Sequence, residues 1–105
     1  MDDLERRFHQ AMASIYERAR SETGYVATRF LQMIAELGGV QTARRLITSD
    51  APSDGFTTLW EKRRLDLTVE AHATRPEFRE LFTADELRAA ERRLQDYGFD
   101  LDRLP

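Results

Sequence analysis

The residues that could support catalysis or metal binding are two histidines and a nearby pair of carboxylates, namely His9, His72, Asp66 and Glu70. Asp66 and Glu70 are four residues apart, so on a helix both carboxylates would lie on one face. His72 follows Glu70 by two residues, so on a helix their side chains diverge by about 200° and do not share a metal ion in a simple way. His9 lies beside an apolar helix stripe, which is typical of a surface or boundary residue. Carboxylates on a helix usually pair with arginine, so this set does not predict an active site.

Other patterns that carry enzyme chemistry are missing from the sequence. The chain has no cysteine, which excludes disulfides and thiolate metal sites. The serines lack the context of a nucleophile elbow, and no glycine-rich phosphate loop is present. The sequence therefore predicts a protein that is not an enzyme, with no catalytic, cofactor-binding or metal-binding residues and no cofactor.

The only tryptophan, Trp60, precedes the densest charged run of the chain. Arg63 and Arg64 follow it by three and four residues, so on one helix all three side chains would be neighbours. Protein interfaces concentrate arginine beside aromatic rings. The alternative is a solvated charged face with the tryptophan ring in the core. We interpret Trp60, Arg63 and Arg64 as a candidate protein-binding surface.

Residues 26–47 have the outline of a helix-turn-helix, with two helices joined at Gly38-Gly39. In that interpretation the second helix would direct four side chains toward DNA bases: Gln41, Thr42, Arg44 and Arg45. The alternative is a helical hairpin whose glycines merely allow close approach. A DNA-binding regulator that uses residues 39–47 is therefore the second functional hypothesis.

Charge and composition favour a protein partner over nucleic acid. The net charge is −3, from 16 basic and 19 acidic residues, whereas phosphate contacts need a concentrated positive face. The first residues carry no signal-peptide core, and no stretch approaches the roughly 18 apolar residues of a membrane span. The expectation is a cytoplasmic protein without membrane association, folded as one domain over residues 1–105. The sequence does not predict its oligomeric state.

Apolar residues recur with helical spacing in the first half of the chain. A long stripe predicts a first helix over residues 3–22, and it consists of Leu4, Phe8, Met12, Ile15 and Ala19. Gly24 is placed to end that helix. Two shorter stripes predict a helix from Val26 to Leu37 and another from Val40 to Ile47.

In the second half, turn and capping residues separate several short helices. The pattern predicts a fourth helix over residues 56–64 that buries Phe56, Leu59 and Trp60, and a fifth over 67–74 capped by Asp66. Pro76 fits the first turn of a further short helix. Thr83 and Glu86 form a capping box for a final helix over residues 84–97, which Gly98 would end. The predicted fold is an all-α, compact single-domain bundle of five to seven short helices.

Several segments together resemble a group of short, uncharacterised bacterial proteins. The resemblance covers nearly the whole chain, and it is carried by GYVATRFLQM from Gly24, GGVQTARRLI from Gly38, SDGFTTLWE from Ser53, LDLTVE from Leu65 and LFTADEL from Leu81. It implies an accessory role beside bacterial defence genes and transfers no site residue. The sequence thus predicts a small non-catalytic protein-interaction or regulatory module, in a bacterial defence or nucleic-acid-processing system.

Overall fold

The first helix, α1 (Asp3–Thr23), begins where the sequence predicts and ends one residue beyond the predicted span of 3–22. In the computed structural model, which describes residues 2–101, the Asp2 carboxylate accepts a hydrogen bond of 2.8 Å from the Glu5 backbone N–H. Gly24 has a φ of 80°, and its N–H donates to the Arg20 carbonyl at the end of the helix. The predicted stripe faces the interior, and its buried members are Phe8, Met12, Ile15 and Ala19.

The next two helices, α2 (Thr28–Leu37) and α3 (Gly39–Ile47), meet at the glycine pair. Gly38 has a φ of 81°, which lets the chain reverse between the helices. Gly39 is buried, and its N–H donates to Nδ1 of His9 at 3.0 Å. A Cβ at position 39 would lie only 2.7 Å from the Cα of His9. The second glycine therefore permits α3 to approach the backbone of α1.

The fourth helix, α4 (Asp54–Glu61), begins earlier and ends three residues sooner than the predicted span of 56–64. Ser53 caps it, because the Ser53 hydroxyl accepts a hydrogen bond of 3.1 Å from the Phe56 backbone N–H. The early end matters for the candidate surface, since it removes the residues after Glu61 from the helix.

The fifth helix, α5 (Val69–Ala73), is shorter than the predicted span of 67–74. Asp66 does not cap it, because Asp66 belongs to a separate 3₁₀ helix, Leu65–Leu67. Thr68 takes the capping role and accepts a hydrogen bond of 3.2 Å from a backbone N–H of the first turn. All five residues of α5 are buried, including a glutamate and a histidine. The amphipathic pattern expected of a surface helix is therefore absent here.

The last helix, α6 (Ala84–Asp96), confirms the predicted capping box. Thr83 and Glu86 exchange both hydrogen bonds, at 3.1 and 2.8 Å. Gly98, with a φ of 85°, and the bond from the Phe99 N–H to the Leu94 carbonyl complete a Schellman ending. Before α6 the chain forms a 3₁₀ helix, Arg79–Leu81, instead of the predicted helix begun by Pro76.

The helices pack around α5, which contacts both α3 and α6, while α1 lies across α2 and α3. The main core joins residues of α1, α2, α3, α5 and α6 with two phenylalanines, Phe78 and Phe82, that stand edge-to-face against Phe8. The globule measures 34 × 27 × 27 Å. The described residues contain six α-helices and no strand, which confirms the all-α fold. Over the same residues, no helix has the length and apolar character needed to cross a bilayer.

The surroundings of Gly39 and Gly55 predict opposite effects on stability when each glycine is replaced by alanine. Gly39→Ala places a methyl group against the His9 backbone, so it should lower the free energy of unfolding by about 1 to 3 kcal/mol. Gly55→Ala, inside α4, puts its Cβ 3.4 Å from the nearest atom and should raise stability by about 0.5 kcal/mol. Urea denaturation of both variants tests this, and equal midpoints would show that α1 and α3 are not in close contact.

Candidate interaction surface around Trp60

Trp60 is not a core residue, because 44% of its surface is exposed. This corrects the prediction that it is buried with Phe56 and Leu59, which are both buried. One edge of the indole is supported by Tyr97, whose ring stands nearly perpendicular to it at 5.4 Å between centroids. Tyr97 is held in turn by an edge-to-face contact with Phe56 at 5.0 Å. A rigid aromatic chain therefore holds the exposed ring against the core.

Arg63 has an unusual backbone conformation directly after α4. Its φ is 60°, and within residues 2–101 it is the only non-glycine residue with a positive φ. The N–H groups of Arg63 and Arg64 donate to the carbonyls of Trp60 and Leu59, which is the Schellman pattern that glycine usually completes. An arginine in this left-handed position costs about 1 kcal/mol relative to glycine. The Arg63 side chain is solvent-exposed, and the residue lies three positions after Trp60 in the sequence.

Arg64 forms ion pairs within the fold, whereas the sequence analysis placed it in the candidate protein-binding surface. Its guanidinium donates to Asp66 at 3.0 Å and to Glu22 near the end of α1 at 2.7 Å. These two carboxylates raise the pKa of Arg64. The prediction that Trp60, Arg63 and Arg64 lie on one helix is wrong, because α4 ends at Glu61, before both arginines.

The exposed group that remains is called here the Trp60 surface, and it consists of Trp60, Lys62 and Arg63 with Tyr97 behind the indole. In the described part of the chain, neither Lys62 nor Arg63 forms an ion pair through its side chain. Glu61 is also exposed and adds one negative charge. The Trp60 surface thus combines an anchored aromatic ring with two cations available to a carboxylate partner.

The four side chains of the alternative DNA-binding hypothesis do not share one exposed face. Gln41 and Arg45 are exposed, whereas Thr42 is completely buried and its hydroxyl has no hydrogen-bond partner among residues 2–101. Arg44 donates to the Leu81 carbonyl at 2.8 Å and lies 3.6 Å from the carboxylate of Glu86. Only two of the four side chains are therefore free to contact bases.

Asp66 and Glu70 also do not form the shared face that their spacing suggests. The 3₁₀ helix and α5 separate them, and Asp66 pairs with Arg64 at the surface. Glu70 is 2% exposed and pairs with Arg93 of α6 at 3.0 Å. No three histidine, aspartate or glutamate side chains within residues 2–101 come together as a metal site requires.

Arg93 connects three elements through hydrogen bonds. Besides Glu70, it donates to the carbonyls of Leu46 at 3.0 Å and Ser49 at 2.6 Å, at the end of α3 and in the turn beyond it. Burial raises the pKa of the Glu70 carboxyl, and a backbone hydrogen bond, followed by the hydrogen bond and charge of Arg93, opposes that rise. Arg93 precedes the buried Leu94 in the chain, but helical periodicity alone does not reveal that the Arg93 side chain is itself mostly buried.

His72 is the second buried polar group of α5. Its Nδ1 donates to the Thr68 carbonyl at 3.1 Å, since a carbonyl can only accept. Burial, followed by the charge of Arg75, lowers the pKa of His72 to about 4. The imidazole is therefore neutral at neutral pH.

The comparisons with known proteins add no relative to these observations. No protein-family model matches the chain, and no curated protein or solved structure matches it either.

The Arg93 contacts predict a strong, partner-dependent loss of stability. Arg93→Met leaves Glu70 buried without its cation and should lower the free energy of unfolding by about 3 kcal/mol. Adding Glu70→Met should recover more than half of that loss, because the buried charge is then gone. Urea denaturation measures both, with Arg92→Met as the exposed control that should change little. A double variant no more stable than Arg93→Met would contradict the coupling.

The lowered pKa of His72 predicts a loss of stability in acid. The folded state favours the neutral ring, so the stabilisation is complete above the unfolded pKa of 6.5 and is lost as pH falls toward about 4. The loss amounts to about 3 kcal/mol. Because Glu22 and Glu70 also have shifted pKa values, the measurement is the difference between the parent and His72→Asn, in urea at several pH values. Parallel pH profiles for the two proteins would refute a buried neutral imidazole.

Proposed function

We propose that the protein is a small non-catalytic interaction module that binds a partner protein through the Trp60 surface. The single observation that carries the proposal is the exposure of Trp60, which is 44% accessible although its ring is packed edge-to-face against Tyr97. Ordering a side chain on binding costs free energy, and an aromatic ring already held in place avoids much of that cost. Tryptophan and arginine are also the residue types that dominate binding energy at interfaces.

The backbone strain at Arg63 is a second argument for this surface. Strained positions persist when the surrounding structure holds them, and they concentrate at functional sites. Glycine would relieve the strain at position 63 but would remove the cation. With Lys62, Arg63 favours a partner that presents a carboxylate beside an apolar recess able to take the indole. By the sequence resemblance, we expect that partner to belong to a bacterial defence or nucleic-acid-processing system.

The alternative, a DNA-binding regulator, has less support. Thr42 is buried and Arg44 is engaged by Leu81 and Glu86, so α3 offers Gln41 and Arg45 as base contacts. Fluorescence anisotropy with random-sequence duplex DNA at ~0.15 M salt separates the two hypotheses. We expect weak binding, and sub-micromolar affinity would favour the DNA-binding alternative.

The proposal predicts that Arg63→Gly increases stability and weakens partner binding in the same variant. Removing the left-handed arginine should raise the free energy of unfolding by about 1 kcal/mol. Losing the cation should weaken the complex by about tenfold, as expected for 1.4 kcal/mol of binding free energy. Urea denaturation gives the first value, and calorimetric titration with the purified partner gives the second.

The partner is first identified by affinity purification with the parent protein and two matched variants. Trp60→Ser should abolish capture, whereas Leu31→Ser, at a residue 41% exposed, should retain it. Arg64 is left unchanged because its ion pairs stabilise the fold. Retention of every captured protein by Trp60→Ser, or equal loss with both variants, would show that the interface lies elsewhere.

A further inference from the structure

A second feature of the molecule is an apolar cleft, which has residues of α4 in its lining but not Trp60. It lies between α1, α2, α3, α4 and α5, and its volume of about 480 Å³ falls within the roughly 300–1,000 Å³ of small-molecule sites. Its interior is formed by buried apolar side chains, which include Ile15, Ala19, Phe56, Leu59, Leu67 and Val69. Neither Trp60 nor Arg63 lines it.

Water fills such a cleft poorly. At about 30 Å³ per molecule, the volume corresponds to on the order of 16 waters. The apolar interior offers these waters few hydrogen bonds, so an apolar ligand body that displaces them gains free energy. The cleft is therefore suited to a molecule with a substantial hydrocarbon or aromatic part.

The charged residues at the mouth determine which head group such a ligand should carry. Arg29 and Arg45 line the cleft, are exposed and form no ion pair with any residue of the described range 2–101. Asp54 also lines it and is the one exposed carboxylate there. The mouth thus carries two cations against one anion.

The buried carboxylate of the cleft does not reverse this preference. Glu70 lines the interior, but Arg93 pairs with it at 3.0 Å. A cationic ligand would have to compete with that arginine, which is further held by the Leu46 and Ser49 carbonyls. An anionic head can instead meet Arg29 and Arg45 in solvent-exposed positions, where no existing contact is broken.

We propose that the apolar cleft binds a small anionic amphiphile, with its apolar body against Phe56, Leu59 and Val69 and its acidic head group between Arg29 and Arg45. Carboxylate, sulfonate and phosphate heads share the chemistry that guanidinium recognises. The proposal is independent of the Trp60 surface, so each can fail without the other.

The test uses anilinonaphthalene sulfonate, an aromatic anion whose fluorescence rises in an apolar environment. We expect it to bind the folded parent protein with one-to-one stoichiometry and to shift amide signals of the cleft residues in proton–nitrogen NMR spectra. Decanoate should displace the probe, whereas decyltrimethylammonium, which has the same chain and a cationic head, should not.

Two variants with substitutions in the cleft, and one control with substitutions outside it, test whether the probe binds there. Arg29→Glu with Arg45→Glu should raise the dissociation constant at least about tenfold, because like charges now face the anion. Arg6→Glu with Arg92→Glu is the matched control, since both residues are exposed and lie outside the cleft, and it should leave binding unchanged. Met33→Trp, at a lining residue, should weaken binding by filling the space. Circular dichroism confirms that each variant is folded.

Several outcomes would overturn the proposal. One is the absence of binding by the folded protein, and another is equal weakening by the two charge-reversal pairs. NMR shifts centred on Trp60 would assign the probe to the other surface. A concentration-dependent dimer that the probe dissociates would assign the cleft to a second copy of the chain.

Discussion

The ion pair between Glu70 and Arg93 is the interaction on which the arrangement of helices depends. An isolated carboxylate is strongly disfavoured in a protein interior, and α5 places one there on a helix with no exposed residue. Arg93 neutralises it from α6 and also binds two carbonyls at the end of α3. One guanidinium therefore fixes the positions of three elements and allows α5 to occupy the centre of the fold.

This internal pairing also explains which polar residues remain available for function. Arg44, Arg64 and Arg93 are each committed to contacts between elements, and His72 is buried and neutral at neutral pH. Arginines without such contacts include Arg63, three positions after Trp60, and Arg29 and Arg45 at the cleft, and these are the arginines to which the two proposals assign binding. We propose a protein as the partner of the Trp60 surface and a small anion with an apolar body as the ligand of the cleft.

The strain at Arg63 links the local sequence to the proposed interaction. Glycine at the same type of position ends α6 without strain, as Gly98 shows with a φ of 85°. The chain has an arginine at the equivalent position after α4, although glycine would be more stable there. In the proposed function, the positive charge that arginine brings to position 63 is the reason that glycine does not stand there.

The sequence alone determined the helices whose apolar period and caps are local. These are α1 with its apolar stripe and Gly24, and α6 with its Thr83–Glu86 capping box. Local pattern could not decide the central segment, because α5 is buried on all sides and lacks a polar face whose period could be read. The contact of Trp60 with Tyr97, the pairing of Arg64 with Glu22 and the pairing of Arg93 with Glu70 join residues that lie 37, 42 and 23 positions apart, respectively. Only tertiary packing brings such distant residues together, so it alone decided the candidate surface and the cleft.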